Sequence, residues 1–260
     1  MKNNIKIGYL ISYDYKYMKY SLPTVYSSVD YIVLAIDKER ITWNGESFEI
    51  EDSFFHWVEF FDTEKKIHFY EDVFYLSNLT SMECETRERN MLAQFMGEGG
   101  WHIQMDVDEY FLDFAGFVES LKSLDTNIPT TIYAKWITIF KQSDSDMFLI
   151  NSNETFPLAT NTPSYKMARN TGRLERNLST DFKVLHQSWG RSEEELMLKL
   201  RNWGHNIDFE INAYFNLWKA INRHTYKYIK DFHPTNPTLW KALEHVEARD
   251  IPMLIKIFQE

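Results

Sequence analysis

Two dense apolar segments near the start of the chain constrain the fold more than any other feature. IKIGYLIS (5–12) is followed by a helical pattern over 13–29 and then by YIVLAID (31–37), which ends in an acid. A strand, a helix and a strand in this order are typical of a βαβ unit, and strands without polar positions suit burial on both faces of a parallel sheet. The sequence therefore predicts an α/β fold built on a parallel sheet.

A later apolar strand switches abruptly to acids. In WHIQMDVDEYF (101–111), alternating apolar residues lead into Asp106, Asp108 and Glu109. Open α/β sheets bind their ligands at the C-terminal ends of strands, and Mg²⁺ or Mn²⁺ takes oxygen ligands that it shares with substrate phosphates. The alternative is a solvated acidic loop. The sharp switch after Gly-Gly-Trp favours a metal–diphosphate site.

Charge and cysteine content exclude several classes of protein. The 260 residues carry a net charge of −10, which repels polyanions and makes nucleic acid an unsuitable partner. A small anionic substrate held through a cation fits this charge better. The single Cys84 excludes an intrachain disulfide and a cysteine-rich zinc site. At this length the chain forms one large domain, or one domain with a modest appendage.

No segment of the sequence predicts a membrane span. The apolar run near the N-terminus is too short for a signal-peptide core, and no later run approaches the ~20 apolar residues that cross a bilayer. We therefore expect a cytoplasmic protein. Aromatic residues make up 16% of the chain, and we expect most of them in the core and a few in a binding cleft.

The remaining patterns predict further helices and strands. A capping box at Thr80 and Glu83 begins a helix that ends at Gly97, and a second box at Ser192 and Glu195 begins another. The other expectations are a third short strand at 66–69, an irregular or hairpin-like stretch over 41–61 with a turn at 44–45, a helix over 114–124, a strand over 132–140, a loop or hairpin over 143–170, a last strand at 183–188, a buried stripe of Leu196, Leu200 and Trp203, and an amphipathic helix over about 209–229.

Three parts of the chain resemble nucleotide-sugar glycosyltransferases of the GT-A fold. The resemblance is strongest to family 2 and its relatives. They are ISYD (11–14) with the strand-end Asp37, RERN (87–90) leading into the acidic strand, and VLHQSWGRSEEELMLKLRNWGH (184–205). The resemblance implies a Rossmann-like, mixed but mainly parallel sheet flanked by helices. It also implies a catalytic domain over 1–190, with a nucleotide-sugar-binding half (1–112) and an acceptor-side half (113–190), followed by a helical C-terminal extension (191–260).

The resemblance also implies a metal site. Asp108 would coordinate Mn²⁺ or Mg²⁺ directly, Asp106 would bind either the ribose or the metal through water, and His186 would be the third protein ligand. A cation bridging the two phosphates would stabilise the charge that collects on the departing diphosphate. For His186 the alternative is an ordinary core or surface histidine. Since Asp108 follows a strand end, we expect it to be a loop acid that contributes little to the core.

Besides Asp106, five residues are implied to contact the donor, a UDP- or GDP-sugar. Tyr13 would stack on the base, Asp37 would accept a hydrogen bond from base or ribose, and Arg89 would contact phosphate or ribose. Arg169 and Arg191 would compensate diphosphate charge. The alternative for Arg89 is a surface ion pair with the acid four residues before it.

The acceptor side is less defined. The resemblance implies an inverting transfer to a glycan or lipid-linked acceptor, which requires a carboxylate to remove the proton of the acceptor hydroxyl. The acid pair and the Gln-x-x-Arg-Trp motif of processive members are absent. Four acids of the polar middle region are available and unranked: Asp144, Asp146, Glu154 and Asp181.

The C-terminal amphipathic segment is basic and aromatic. Such a helix can lie on an anionic membrane surface, where lipid-linked acceptors are found, and this would bring a cytoplasmic protein to the inner face of the membrane. The commoner alternative is a packing helix with a solvated face.

Two other functions compete with the glycosyltransferase. A haloacid-dehalogenase-type phosphatase also places two aspartates after a strand, but near the N-terminus and followed by Thr and an aliphatic residue, whereas Glu109 and Tyr110 follow here. The second is a non-catalytic glycan- or nucleotide-binding module, which the missing base motif keeps open.

Overall fold

The computed structural model describes residues 4–173, 175–202 and 208–260, which form a mixed α/β structure. The predicted α/β class is confirmed, while the GT-A arrangement stays a prediction. The strands are β1 (Ile5–Ile11), β2 (Tyr31–Asp37), β3 (Ile67–Asp72), β4 (Trp101–Asp106), β5 (Glu109–Phe111), β6 (Thr130–Gln142), β7 (Met147–Asn151), β8 (Thr155–Thr160), β9 (Arg176–His186) and β10 (Ala242–Val246). The helices are α1 (Met18–Val25), α2 (Asp52–Phe61), α3 (Ser81–Met96), α4 (Phe114–Lys122), α5 (Glu193–Asn202), α6 (Ile211–Ala220) and α7 (Ile251–Gln259).

The described chain divides into two compact units, each assembled from several segments. The first unit comprises the described residues of Met1–Asp108, Asp113–Ala134 and Pro157–Asp181. The second unit comprises those of Glu109–Leu112, Lys135–Phe156 and Phe182–Glu260. The division predicted from the sequence, with boundaries at residues 112 and 190, uses consecutive segments of the chain, whereas the segments of these two units alternate along it.

The first unit is built on four parallel strands in the order β3-β2-β1-β4. Every residue of β1 is buried, as is every residue of β2 after the first, which confirms the predicted burial on both faces. Helix α3 packs on β1 and β2. Gly8 in β1 permits this contact, because a Cβ atom there would lie 2.6 Å from Leu92 Cδ2 of the helix. At the far edge, Ala159 of β8 pairs antiparallel with Ile103 of β4.

Helix α3 begins and ends where its sequence predicts. Thr80 and Glu83 form the reciprocal capping box, and the chain leaves the helix at Gly97, whose φ is 75°. The predicted irregular stretch over 41–61 is wrong for its second half, which forms α2. Phe54 and Val58, one helical turn apart, are its buried residues, and the surrounding run of exposed or half-buried aromatics conceals that spacing in the sequence.

The second unit holds an antiparallel sheet in the order β10-β7-β6 and the antiparallel pair β5–β9. Its core is largely aromatic, which is where much of the aromatic content is used. The capping box of α5 is present, since Ser192 N–H donates to Glu195 and Glu195 N–H donates to Ser192 Oγ. Leu196 and Leu200 are buried as predicted, whereas Trp203 lies outside the described residues. The core includes Phe140, Phe148, Trp189, Trp218, Phe232 and Trp240.

Two predictions for the C-terminal region are wrong. β9 is not the last strand, because β10 pairs with β7, so 191–260 is not purely helical. The helix predicted over 209–229 stops at Ala220. Lys141 Nζ ends it by donating to the carbonyl oxygens of Trp218, Lys219 and Ile221 at 3.1, 2.9 and 2.8 Å. A lysine that satisfies terminal carbonyl groups is a C-cap that the local sequence does not show. Among the described residues, no helix is long and apolar enough to cross a membrane.

Candidate functional site

The predicted donor-binding residues of the first unit lie at one edge of its parallel sheet. Asp37 and Asp106 are the last residues of β2 and β4, and Tyr13 follows β1 by two positions. Because these strands are parallel, their C-terminal ends share one edge, which is where sheets of this class bind ligands.

Asp106 is held between two buried arginines. Its Oδ1 accepts from Arg89 Nη2 at 2.8 Å, and its Oδ2 lies 2.7 Å from Arg169 Nη2. The arginine side chains are 1% and 8% exposed, whereas that of Asp106 is 34% exposed. Arg89 also binds Glu85 through Nε at 3.0 Å. These four side chains carry two positive and two negative charges, so the cluster is neutral and hydrogen-bonded, as buried charges require.

The arginines also fix the protonation state of Asp106. Burial favours its neutral form, but the charges of Arg169 and Arg89 outweigh this and hold the pKa of Asp106 far below its usual range. Asp106 is therefore ionised throughout the physiological pH range. The alternative in which Arg89 makes only a surface ion pair with Glu85 is wrong, because its side chain is buried and reaches Asp106.

Helix α3 also positions the loop that carries Arg169. The side chain of Asn90 accepts from Tyr165 N–H and donates to Tyr165 O, both at 2.8 Å. One turn earlier, Thr86 Oγ1 accepts from Ala168 N–H at 2.8 Å. Residues 86–90 thus supply Arg89 and also hold the main chain that leads into Arg169. The sequence indicated the importance of RERN but not this role of Asn90.

Asp37 has a structural role that the sequence does not reveal. Its Oδ1 accepts from the N–H groups of Glu39 and Ile41, at 2.9 and 3.2 Å. Its Oδ2 accepts from those of Phe74 and Tyr75, at 2.8 and 3.2 Å. The carboxylate therefore ties the segment after β2 to the segment after β3. Its contact with a donor stays a prediction, as does that of Tyr13.

A buried carboxyl group beside Arg89 was missed from the sequence. Glu88 is 5% exposed and accepts from Trp43 Nε1 at 2.6 Å. Burial raises the pKa of Glu88 to about 8, despite that hydrogen bond and the charge of Arg89. Glu88 is therefore protonated at neutral pH. Its position four residues from both Cys84 and Leu92, on the buried stripe of α3, is the signal that could have identified it.

The predicted metal ligands fit a cation unevenly. Both oxygens of Asp106 already bind guanidinium groups, so a dication there would meet two positive charges and gain little from the carboxylate. Asp108 lies in the turn after β4, as expected, but it is 2% exposed, so the expectation that it contributes little to the core is wrong. His186 belongs to the second unit. Among the described residues, no group of three His, Cys, Asp or Glu side chains is arranged to hold a metal, and the metal site stays a prediction.

His186 lies in the second unit beside an aromatic ring and an acid. It is the strand partner of Glu109, which is fully buried. The ring of Trp136 lies 4.9 Å from that of His186, and its Nε1 donates to Glu109 at 3.1 Å. The ring of Phe156 also stacks on that of Trp136, at 4.3 Å. Trp136 thus fixes both His186 and Glu109, a role that the sequence did not indicate.

The four acids considered as the base differ sharply in their surroundings. Asp146 binds His245 Nε2 at 2.6 Å and Arg223 Nε at 2.7 and 2.8 Å. Burial favours its neutral form, but these bonds lower the pKa of Asp146. Burial raises the pKa of Glu154, which accepts from Trp240 Nε1 at 2.7 Å. Asp144 and Asp181 are exposed.

Arg191, the last predicted donor contact, is also in the second unit. Its side chain is buried and donates from Nε to Ser188 O at 3.0 Å. This bond closes the turn that follows β9, where Ser188 has a positive φ of 39°. A role in compensating diphosphate charge stays a prediction for Arg191.

Comparison with known proteins adds little. No family model matches the chain, and no curated protein matches it. Among solved structures it is similar to HddC from Yersinia pseudotuberculosis, with 13% identity over 70% of this chain and 93% of that one. The TM-score is 0.32 for that structure and 0.33 for its complex with GMP-PN. Similarity at this level carries no argument, so the site is interpreted from its own geometry.

Proposed function

We propose that this protein transfers a sugar from a nucleotide-diphosphate donor to a glycan or lipid-linked acceptor. One observation carries the proposal: an ionised carboxylate, Asp106, held by two buried arginines at the C-terminal ends of parallel strands. A buried charge cluster adds little net stability, because desolvation offsets the attraction between its charges, so its presence favours a functional role. Strongly perturbed groups at this edge of a parallel sheet are typical of ligand sites. The resemblance of this strand to family 2 glycosyltransferases supports the same assignment.

The geometry favours ribose over metal as the partner of Asp106. Two guanidinium groups compensate its charge and hold its orientation, while the side chain remains one-third exposed. A fixed carboxylate of this kind accepts hydrogen bonds from neutral hydroxyl groups without the repulsion that a dication would meet. If Mn²⁺ or Mg²⁺ is used, Asp108 is the residue of the first unit that would hold it, and a contact with His186 stays a prediction. The cation would supply Lewis-acid stabilisation of the departing diphosphate.

The phosphatase is the weaker alternative. It would require Asp106, the first of the two aspartates at the end of β4, to attack phosphorus. Arginine contacts on both of its oxygens withdraw electron density and hold the carboxylate in place, which lowers its nucleophilicity. A binding module without turnover differs from the enzyme only in forming no product.

The proposal is tested by ligand-induced thermal stabilisation. UDP, GDP and their sugar derivatives are screened with and without Mn²⁺, because a ligand that binds only the native state raises Tm by mass action. We expect stabilisation by one nucleotide class. Asp106→Asn should abolish it in all conditions, and Asp108→Asn should abolish only its dependence on Mn²⁺.

The matched control is Asp52→Asn, which removes an exposed acid of the same unit. It should leave nucleotide stabilisation unchanged. Absence of stabilisation by every nucleotide, with Mn²⁺ present, would contradict the proposed function. Stabilisation without sugar release or transfer to any acceptor would support the binding module.

A further inference from the structure

Strand β3 is the outer strand of the parallel sheet in the first unit. Within the described residues it pairs with β2 and with no other strand. The carbonyl oxygens of Lys66 and Asp72 accept from N–H groups of β2 and the residue after it, at 2.9 and 2.8 Å. Main-chain groups alternate in direction along a strand, so those of Ile67, Phe69 and Glu71 point away from β2. These outward groups form the β3 edge, which is a template for pairing with a further strand.

Aromatic side chains border the β3 edge on both faces of the sheet. On one face the ring of Phe69 lies 5.4 Å from that of Phe55 in α2 and is 39% exposed. On the other face Tyr70 stacks at 4.3 Å on Phe95 of α3, which is 44% exposed. A strand added at this edge would cover part of both aromatic surfaces, and burial of aromatic area favours association.

The charges at the two ends of β3 are opposite in sign. Lys65 and Lys66 precede the strand, whereas Glu71 and Asp72 end it. Lys65 and Asp72 form no ion pair within the described residues. Two copies of β3 aligned antiparallel place the basic end of each beside the acidic end of the other, whereas a parallel alignment brings like charges together. The strand is therefore complementary to a second copy of itself.

The outward main-chain groups also define a register for this pair. With Phe69 opposite Phe69 of the second copy, the N–H groups of Phe69 and Glu71 donate to the carbonyl oxygens of Phe69 and Ile67 across the contact. The Ile67 N–H group is not needed, which agrees with its bond to Asp62 Oδ2 at 3.0 Å. This register keeps every hydrogen-bonded pair inside β3 and places its two charged ends against their opposites.

We propose that the β3 edge joins two copies of this chain into a symmetric dimer, by an antiparallel strand pair that continues the sheet of one copy into the other. Each copy contributes the same strand, so the contact closes on itself and does not propagate into a fibre. The aromatic surfaces supply the buried area, and the charged ends select the antiparallel alignment. The proposal is independent of the proposed function.

The test measures the molar mass of the full chain by sedimentation equilibrium, over about 1 to 100 µM. The mass should rise with concentration from 31.1 kDa toward twice that value. Phe69→Lys places like charges opposite each other at the symmetry axis and should raise the dimer Kd at least about tenfold. The matched control is Ile128→Lys, at an apolar side chain of the same unit that is 43% exposed, and it should leave the Kd unchanged. Circular dichroism checks that each variant is folded.

A pair of charge reversals tests the alignment. Lys65→Glu or Glu71→Lys alone should raise the Kd about fivefold, because each change places like charges together twice in the symmetric dimer. An equimolar mixture of the two variants should associate nearly as tightly as the wild type, since each reversed charge then meets its opposite. Glu119→Lys, the same reversal at an exposed acid of α4, is the control and should have no effect.

Three results would overturn the proposal. The first is a mass that stays at 31.1 kDa up to about 100 µM, which would show that the charged ends leave the edge unpaired. The second is a dimer whose Kd does not respond to Phe69→Lys, which would place the contact elsewhere. The third is a mixture of the two charge-reversed variants that associates no more tightly than either variant alone.

Discussion

Replacing Asp106 by asparagine should destabilise the protein through the two arginines that it holds. The substitution keeps the shape of the side chain but removes the carboxylate that contacts both Arg89 and Arg169, which are 1% and 8% exposed. Breaking a fully buried ion pair costs about 3–5 kcal/mol. Since Asp106 is 34% exposed, water screens part of that loss, and we expect a cost of about 2–3 kcal/mol.

A double-mutant cycle separates this cost from a general loss of packing. Arg169→Met removes one of the two cations, so Asp106→Asn in that background leaves a single arginine, which Glu85 still compensates. The double variant should therefore be less destabilised than the sum of the single variants, by at least about 1 kcal/mol.

Urea denaturation followed by tryptophan fluorescence measures each free energy of unfolding. Asp52→Asn is again the control, because it removes an exposed acid of the first unit and should change stability by less than about 0.5 kcal/mol. Additive effects in the cycle, or a cost for Asp106→Asn no larger than that of the control, would refute the argument that the arginines depend on this carboxylate.

Three further substitutions have predictable effects on stability. Burial and the charge of Lys6 lower the pKa of His102 to about 4, so stability should fall as pH drops from 6.5 toward 4, by about 2 kcal/mol at pH 5, and His102→Phe should remove that slope in urea titrations. Burial raises the pKa of Glu88 to about 8, so its protonated form contributes stability that is complete below pH 4.5 and is lost as pH rises to 8. Glu88→Gln should therefore be more stable than wild type by about 3 kcal/mol at pH 7 and equal to it at pH 4, and equal stabilities at pH 7 would contradict the burial argument. Lys141→Met should cost about 2 kcal/mol by leaving three carbonyl groups at the C-terminal end of α6 without their donor, whereas Lys219→Met, at an exposed lysine of α6, should cost less than about 0.5 kcal/mol.

The elements that the sequence predicts correctly are those whose signals are local. β1 and β2 are uninterrupted apolar runs, and α3 carries its own capping box and terminal glycine. Helix α2 was missed because aromatics crowd both its buried and its exposed positions, which hides the helical period. The early end of α6 could not be seen locally, since the lysine that caps it lies in β6, 80 residues from the last carbonyl group that it binds.

The candidate site shows the same division. The strand-end position of Asp106 follows from an abrupt change in polarity and needed no distant information. Its pairing with Arg169 depends on a contact between α3 and a distant loop. In that contact Asn90 binds Tyr165, which lies 75 residues later in the chain. Glu88 was overlooked because three charged or polar neighbours make its segment look solvated. Its burial is decided by the strands on which α3 packs, which no single-sequence pattern records.

The hold of α3 on the Arg169 loop, through Asn90 on Tyr165 and Thr86 on Ala168, is made to main-chain atoms of the loop. Tyr165 contributes its N–H and carbonyl groups, and Ala168 contributes its N–H. Main-chain groups are the same in every residue except proline, so this attachment does not depend on which side chains the loop carries. The loop is therefore a segment in which substitutions can alter ligand preference while the guanidinium group stays in place. Asn90 is not expected to touch any ligand, but it must be kept when the side chains of the loop change, because it holds the loop in place.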